Sequence, residues 1–171
     1  MSSLVWITGL SGSGKTTIGK KVYQALKKKY TNTVFLDGDD FREIFGNDLG
    51  HSRENRIANA RRISRMCKFL ISQNINVVCA TMSLYKEIHE LNRHEIKNYI
   101  EVFIKCDIKE LIRRDQKNLY SKAINGEIDN IVGINAQYDE PTLCELTIDN
   151  TKQDKLQEKV KKILDFIGKQ V

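Results

Sequence analysis

The stretch GLSGSGKTT, Gly9 to Thr17, fits the pattern G-x-x-x-x-G-K-[ST] through Gly9, Gly14, Lys15 and Thr16. Glycines at this spacing let backbone N–H groups close around phosphate oxygens. The lysine reaches the β- and γ-phosphates, and the hydroxyl that follows it is placed for Mg²⁺. The expected ligand is ATP with Mg²⁺, held by Gly9, Ser11, Gly12, Ser13, Gly14, Lys15, Thr16 and Thr17. A second cluster, FLDGDDFR, groups Asp37, Asp39 and Asp40 with Arg42. A carboxylate beside a triphosphate can take the proton of an attacking hydroxyl or hold the waters of Mg²⁺. Asp40 suits a helix N-cap, which leaves Asp37 and Asp39 for chemistry.

Two basic segments follow. NDLGHSRENRIANARR carries Arg53, Arg56, Arg61 and Arg62, with Asn55 and Asn59. Arg56 and Asn59 are three apart and share a helical face. Guanidiniums after an acidic turn suit bidentate recognition of an anionic acceptor. RRDQKNLYSKAINGE carries Arg113, Arg114, Lys117 and Lys122. A basic helical lid over about residues 113–135 would close on the transferring phosphoryl group and exclude water. An arginine delivered there is worth about 10³-fold or more in rate.

These groups need a frame. Apolar, β-rich runs occur at 4–8, 33–37, 76–81, 100–105 and 144–149. They are continuous rather than alternating, as strands covered on both faces are. Helical patterns separate them, at about 15–29, 52–73, 86–97, 108–125 and 153–169. The last sets Leu156, Val160, Ile163, Leu164 and Ile167 on one face. Strands alternating with helices predict an α/β fold: a five-stranded parallel sheet with helices on both faces. Ligands bind at the C-terminal ends of such strands, and each chemical cluster above falls at one.

The chain's 171 residues predict one domain spanning 1–171. No apolar run reaches the ~18 residues of a membrane helix, and no signal peptide is evident at MSSLVWITG. A cytoplasmic protein is expected, with no membrane partner. The net charge of +6 fits a basic surface and a polyanionic small molecule rather than nucleic acid. Lys27 to Lys29 complement a helix C-terminus. Cys67, Cys79, Cys106 and Cys144 lack metal-ligand spacing and read as free thiols. His89 and His94 fall on a helix with a polar pattern, apart from His51.

Taken in order, GLSGSGKTT, LDGDDFR, DLGHSRENRIANARR, RDQKNLYSKAINGEI and VGINAQYDEP resemble the motifs of the adenylylsulfate (APS) kinase family of P-loop kinases across nearly the whole chain. That resemblance implies a three-layer P-loop NTPase fold and transfer of the γ-phosphoryl of ATP to the ribose 3′-hydroxyl of a 5′-modified nucleotide. It implies Asp39 as general base, with Lys15 and Arg114 also catalytic, and Asp37 with Thr16 at Mg²⁺. Arg114 and Lys117 would lie near the donor phosphates. Arg42, Arg56 and Asn59 would bind the acceptor, joined by Ser83, Leu84, Tyr85, Lys86 and Lys122. Homodimers are common in the family.

Several positions depart from it. The two phenylalanines that typically sandwich the acceptor adenine are His51 and Ile131 here; the F-I-S-P-Y-R loop reads TMSLYK; the RDPKGLY lid reads RDQKNLY. Stacking on an aromatic face contributes ~1–3 kcal/mol per base, so adenine should bind less well. The pattern resembles the branch of the family whose acceptor is cytidine 5′-diphosphoramidate, used in capsule phosphoramidate synthesis. The alternative is the family's usual adenylylsulfate. A more distant alternative is a nucleotide-dependent switch or GTPase, because TKQD at Thr151–Asp154 resembles a guanine-reading [NT]-K-x-D motif.

Overall fold

The computed structural model describes residues 2–170. Five parallel strands form one sheet in the order β2-β3-β1-β4-β5: β1 (Leu4–Thr8), β2 (Thr33–Asp37), β3 (Asn76–Ala80), β4 (Tyr99–Lys105) and β5 (Leu146–Asp149). The helices are α1 (Lys15–Lys29), α2 (Gly38–Ile44), α3 (Arg53–Ser72), α4 (Lys86–Glu95), α5 (Ile108–Arg114), α6 (Leu119–Ile124) and α7 (Leu156–Gln170). This is the three-layer P-loop arrangement expected from the motifs. Among the described residues, no helix is long and apolar enough to cross a membrane.

The inner strands feed cores on both faces of the sheet because successive side chains point to opposite sides. Leu4, Trp6, Val77 and Cys79 pack under α3 and α4 with Ile63, Cys67 and Ile88. Val5, Ile7, Val78 and Val102 pack under α1 and α7 with Ile18, Val22, Val160 and Ile163. A third cluster of Leu10, Leu84, Phe103, Leu111, Tyr120, Ala123, Ile131 and Val132 supports the lid at the strands' C-terminal ends.

Register places the chemistry. Asp37 pairs with Ala80, and Ala80 with Ile7. The acidic end of β2 and the loop leaving β1 therefore share one edge of the sheet, two strand spacings or about 10 Å apart.

Two expectations change. The pattern over 108–125 is broken, because Asp115, Lys117 and Asn118 have φ of 38°, 64° and 54°. Asp115 leaves α5 in the left-handed region, and its carboxylate then accepts the Tyr120 and Ser121 amides at 2.9 and 3.1 Å, capping α6. His89 is buried rather than solvated, against the Glu101 carboxylate. Glu101 also accepts the Tyr99 hydroxyl at 3.1 Å and Arg93 at 3.2 Å. Lys27 to Lys29 do occupy the last turn of α1. All four cysteines are free, with Cys67 and Cys79 fully buried.

Candidate active site

The loop between β1 and α1 is held by its carbonyls. Four consecutive ones accept side-chain donors: Leu10 from Lys15 Nζ (2.7 Å), Ser11 from the Tyr120 hydroxyl (2.7 Å), Gly12 from Arg114 (3.2 Å) and Ser13 from Asn150 Nδ2 (2.7 Å). Gly14 turns into α1 with φ of 101°, a left-handed value that favours glycine. At Gly9 a Cβ would meet the Ile104 carbonyl oxygen at 2.5 Å. The first turn of α1 contains no acidic residue, so its unpaired amides offer an anion site. Thr17 is exposed beside them, and the Ser13 hydroxyl is buried with no partner among the described residues. Burial lowers the Lys15 ammonium to a pKa of about 8, against the pull of the Asp39 and Asp37 charges. A bound polyphosphate would reverse that shift.

The acid corner meets this loop directly. The Thr16 hydroxyl donates to Asp37 Oδ2 at 2.7 Å. Asp37 also caps α2, accepting the Asp39 amide at 2.9 Å, so the N-cap is Asp37 and not Asp40. The cap follows from extended backbone at the strand end, one residue before the helix begins. Gly38 lets β2 pass Thr81, whose Oγ1 would lie 2.6 Å from a Cβ there. Asp39 then faces the lid and accepts Lys117 Nζ at 2.6 Å. Burial raises the pKa of the Asp39 carboxyl, but the hydrogen bond and charge of Lys117, with Lys15 and Arg42, hold it below its usual range. Thr16 and Asp37 present oxygen donors alone, the chemistry that suits Mg²⁺.

The acceptor residues divide. Arg56 forks between the two walls expected for the base slot: Nε donates to the His51 carbonyl and Nη2 to that of Asn130, both at 2.9 Å. Asn130 precedes Ile131, so one guanidinium spans the slot. Arg42 donates to the Leu49 carbonyl at 2.9 Å, fixing the loop that carries His51. Burial, then the charges of Arg56 and Arg42, lower the His51 pKa and leave a neutral imidazole at neutral pH. The Tyr85 hydroxyl is buried without a partner among the described residues, within the field of Arg56, Arg53 and Arg42. Asn59 is buried on α3 one turn beyond Arg56.

The other expected site residues are held mainly by the protein itself. Arg114 is not a free phosphoryl finger: its side chain is 8% exposed, and besides Gly12 it holds the Asn150 and Thr151 carbonyls at 2.8 Å and Glu110 at 2.9 Å. Those bonds tie α5 to the phosphate loop and to the end of β5. Leu84 and Ile131 belong to the third core cluster, and Ile131 is 8% exposed, so it offers the slot an edge rather than a face. The Ser83 backbone is engaged by Thr8 Oγ1, and its own hydroxyl is buried without a partner among the described residues. Lys86 is exposed at the start of α4, its ammonium 3.7 Å from Glu90. Lys122 is exposed on α6. In TKQD, Asp154 pairs with Lys159 at 3.6 Å, which gives it a structural role. Asn150, Tyr120 and Glu110 escaped the sequence reading. A polar residue directly after the β5 strand was the available signal for Asn150.

The model of the family described as adenylylsulphate kinase matches residues 1–149. The chain is 47% identical to the cytidine diphosphoramidate kinase of Campylobacter jejuni, over 94% of each protein. It is 40% identical to the adenylyl-sulfate kinase of Pseudomonas aeruginosa, over 89% of this chain and 79% of that one. The structure of Mycobacterium tuberculosis APS kinase in complex with AMPPNP and APS superposes with a TM-score of 0.89 at 32% identity, covering 98% of both chains. The chain belongs to the adenylylsulphate kinase family and is a phosphotransferase.

Proposed function

We propose that this kinase transfers the γ-phosphoryl of ATP to the ribose 3′-hydroxyl of cytidine 5′-diphosphoramidate. The observation that carries the transfer is the Thr16–Asp37 bond of 2.7 Å, which joins the phosphate loop to the corner bearing Asp39. A triphosphate seated on the amides of α1 would point its tip at the Asp39 carboxylate. The hydroxyl oxygen attacks the γ-phosphorus, the bond to the bridging oxygen of ADP breaks, and Asp39 takes the hydroxyl proton. Lys15 would neutralise charge on the phosphates. Thr16 and Asp37 would hold Mg²⁺, which supplies charge neutralisation at the phosphoryl oxygens.

The acceptor assignment is supported by the slot and by likeness. His51 stands where the family has an aromatic wall, and its neutral ring can stack on a pyrimidine or accept from its amino group. Ile131 gives the opposite side an aliphatic edge. The Campylobacter jejuni relative, by its name, acts on a cytidine diphosphoramidate. Adenylylsulfate is the second reading, favoured by the kinases that share about two-fifths of the sequence. Steady-state kcat/KM for the two acceptors, with ATP and then GTP as donor, tests both. The cytidine compound with ATP should give the higher value; a higher value with adenylylsulfate overturns the assignment.

A further inference from the structure

Lys117 crosses from the lid to the acid corner, placing Nζ 2.6 Å from Asp39 Oδ2 across 78 residues of sequence. Its backbone is left-handed, with φ of 64°, between Asp115 at 38° and Asn118 at 54°. Lysine rarely adopts that conformation, and such residues persist where their surroundings over-determine them. Here the surroundings are the Asp115 cap on α6 and the Tyr120 hydroxyl bound to the Ser11 carbonyl, which fix the bend from both sides. The two side chains are 58% and 74% exposed, so the ion pair adds little to stability. Its consequence is chemical, because it engages one oxygen of the carboxylate proposed to receive a proton.

We propose that Lys117 is a specificity-determining residue of the transfer, occupying the Asp39 carboxylate until the acceptor arrives and so denying water the phosphoryl group. The proposal rests on Asp39 being the general base. In hydrolysis a water oxygen bonds to the γ-phosphorus, the bond to the bridging oxygen of ADP breaks, and the water proton must pass to Asp39. A carboxylate already accepting an ammonium hydrogen is a weak and obstructed base. Water brings no binding energy with which to displace Nζ. The acceptor does, because its nucleotide is held by the His51 slot and the arginines around it, and that energy can drive the exchange. Once displaced, the ammonium would be free to meet the γ-phosphoryl oxygens of a bound triphosphate. Lys117 thus has two successive partners, and the acceptor decides between them.

In the acceptor-free enzyme Lys117 rests on Asp39, so its replacement removes no phosphate contact from hydrolysis, and the ADP-forming rate without acceptor isolates the effect on the base. With Lys117→Met, and with Lys117→Gln as a second variant, ADP formation is measured without acceptor, and 3′-phosphorylated product is measured with whichever acceptor is turned over. The ADP-forming rate without acceptor should rise about two- to fivefold, the weight of an exposed ion pair, and adding Asp39→Asn should abolish the rise. An unchanged ADP-forming rate in both variants overturns the proposal, as does a rise that survives Asp39→Asn. The two readings fail separately. Near-normal transfer by Asp39→Asn alone removes the base assignment. Lost transfer in that variant, with an unmoved ADP-forming rate in Lys117→Met, leaves the base standing and refutes the role of Lys117.

Discussion

Lys15 rests on the Leu10 carbonyl with a pKa lowered to about 8 by burial. Below that value it is a cation; above it the free protein loses the charge that attracts a triphosphate. The Kd for ATP should therefore rise about tenfold between about pH 7 and about pH 9, measured by titration calorimetry, and Lys15→Arg should flatten the rise. The same shift acts on folding with a definite sign. The unfolded chain holds the proton up to its ordinary value of 10.5, so this group's contribution to stability grows as pH climbs from about 8 to 10.5. At this scale the sequence was informative where residues share a short motif: Gly14, Lys15 and Thr16, and Asp37 with Asp39, stood out by type and spacing, and the structure brings the two motifs together. It was uninformative for Arg56 and Arg114. Their acceptors include the Asn130 and Gly12 carbonyls, 74 and 102 residues away, and a backbone carbonyl carries no signature in sequence.

The elements were largely legible because the inner strands carry apolar runs and the long helices have an apolar stripe. β1, β2 and α1 have the expected bounds. The lid was not legible in detail. A helical pattern runs through 108–125, but Asp115 and Asn118 tolerate left-handed backbone, and the Asp115 cap starts a separate helix. The lid's attachment rests on Tyr120, fully buried with its hydroxyl 2.7 Å from the Ser11 carbonyl. Tyr120→Phe should cost about 1 kcal/mol in denaturant unfolding, seen as a lower midpoint at unchanged slope. An unchanged midpoint would mean that the hydroxyl does not hold the lid to the phosphate loop.

Across the whole molecule, three segments converge on one loop. The lid supplies Tyr120, α5 supplies Arg114 and the end of β5 supplies Asn150, each to a different carbonyl of residues 11–13. That convergence was invisible in the motifs, which name what touches a ligand and not what shapes the cradle. The sheet order explains the rest, since Asp37 and Ile7 share a register across β3. The central claim is that this register delivers Asp39 to a sugar hydroxyl as its base. The most direct measurement is single-turnover phosphoryl transfer by Asp39→Asn at saturating ATP and acceptor. Transfer slower by roughly 10²–10⁴-fold is the predicted result, with acceptor affinity retained; a near-normal rate would contradict the account.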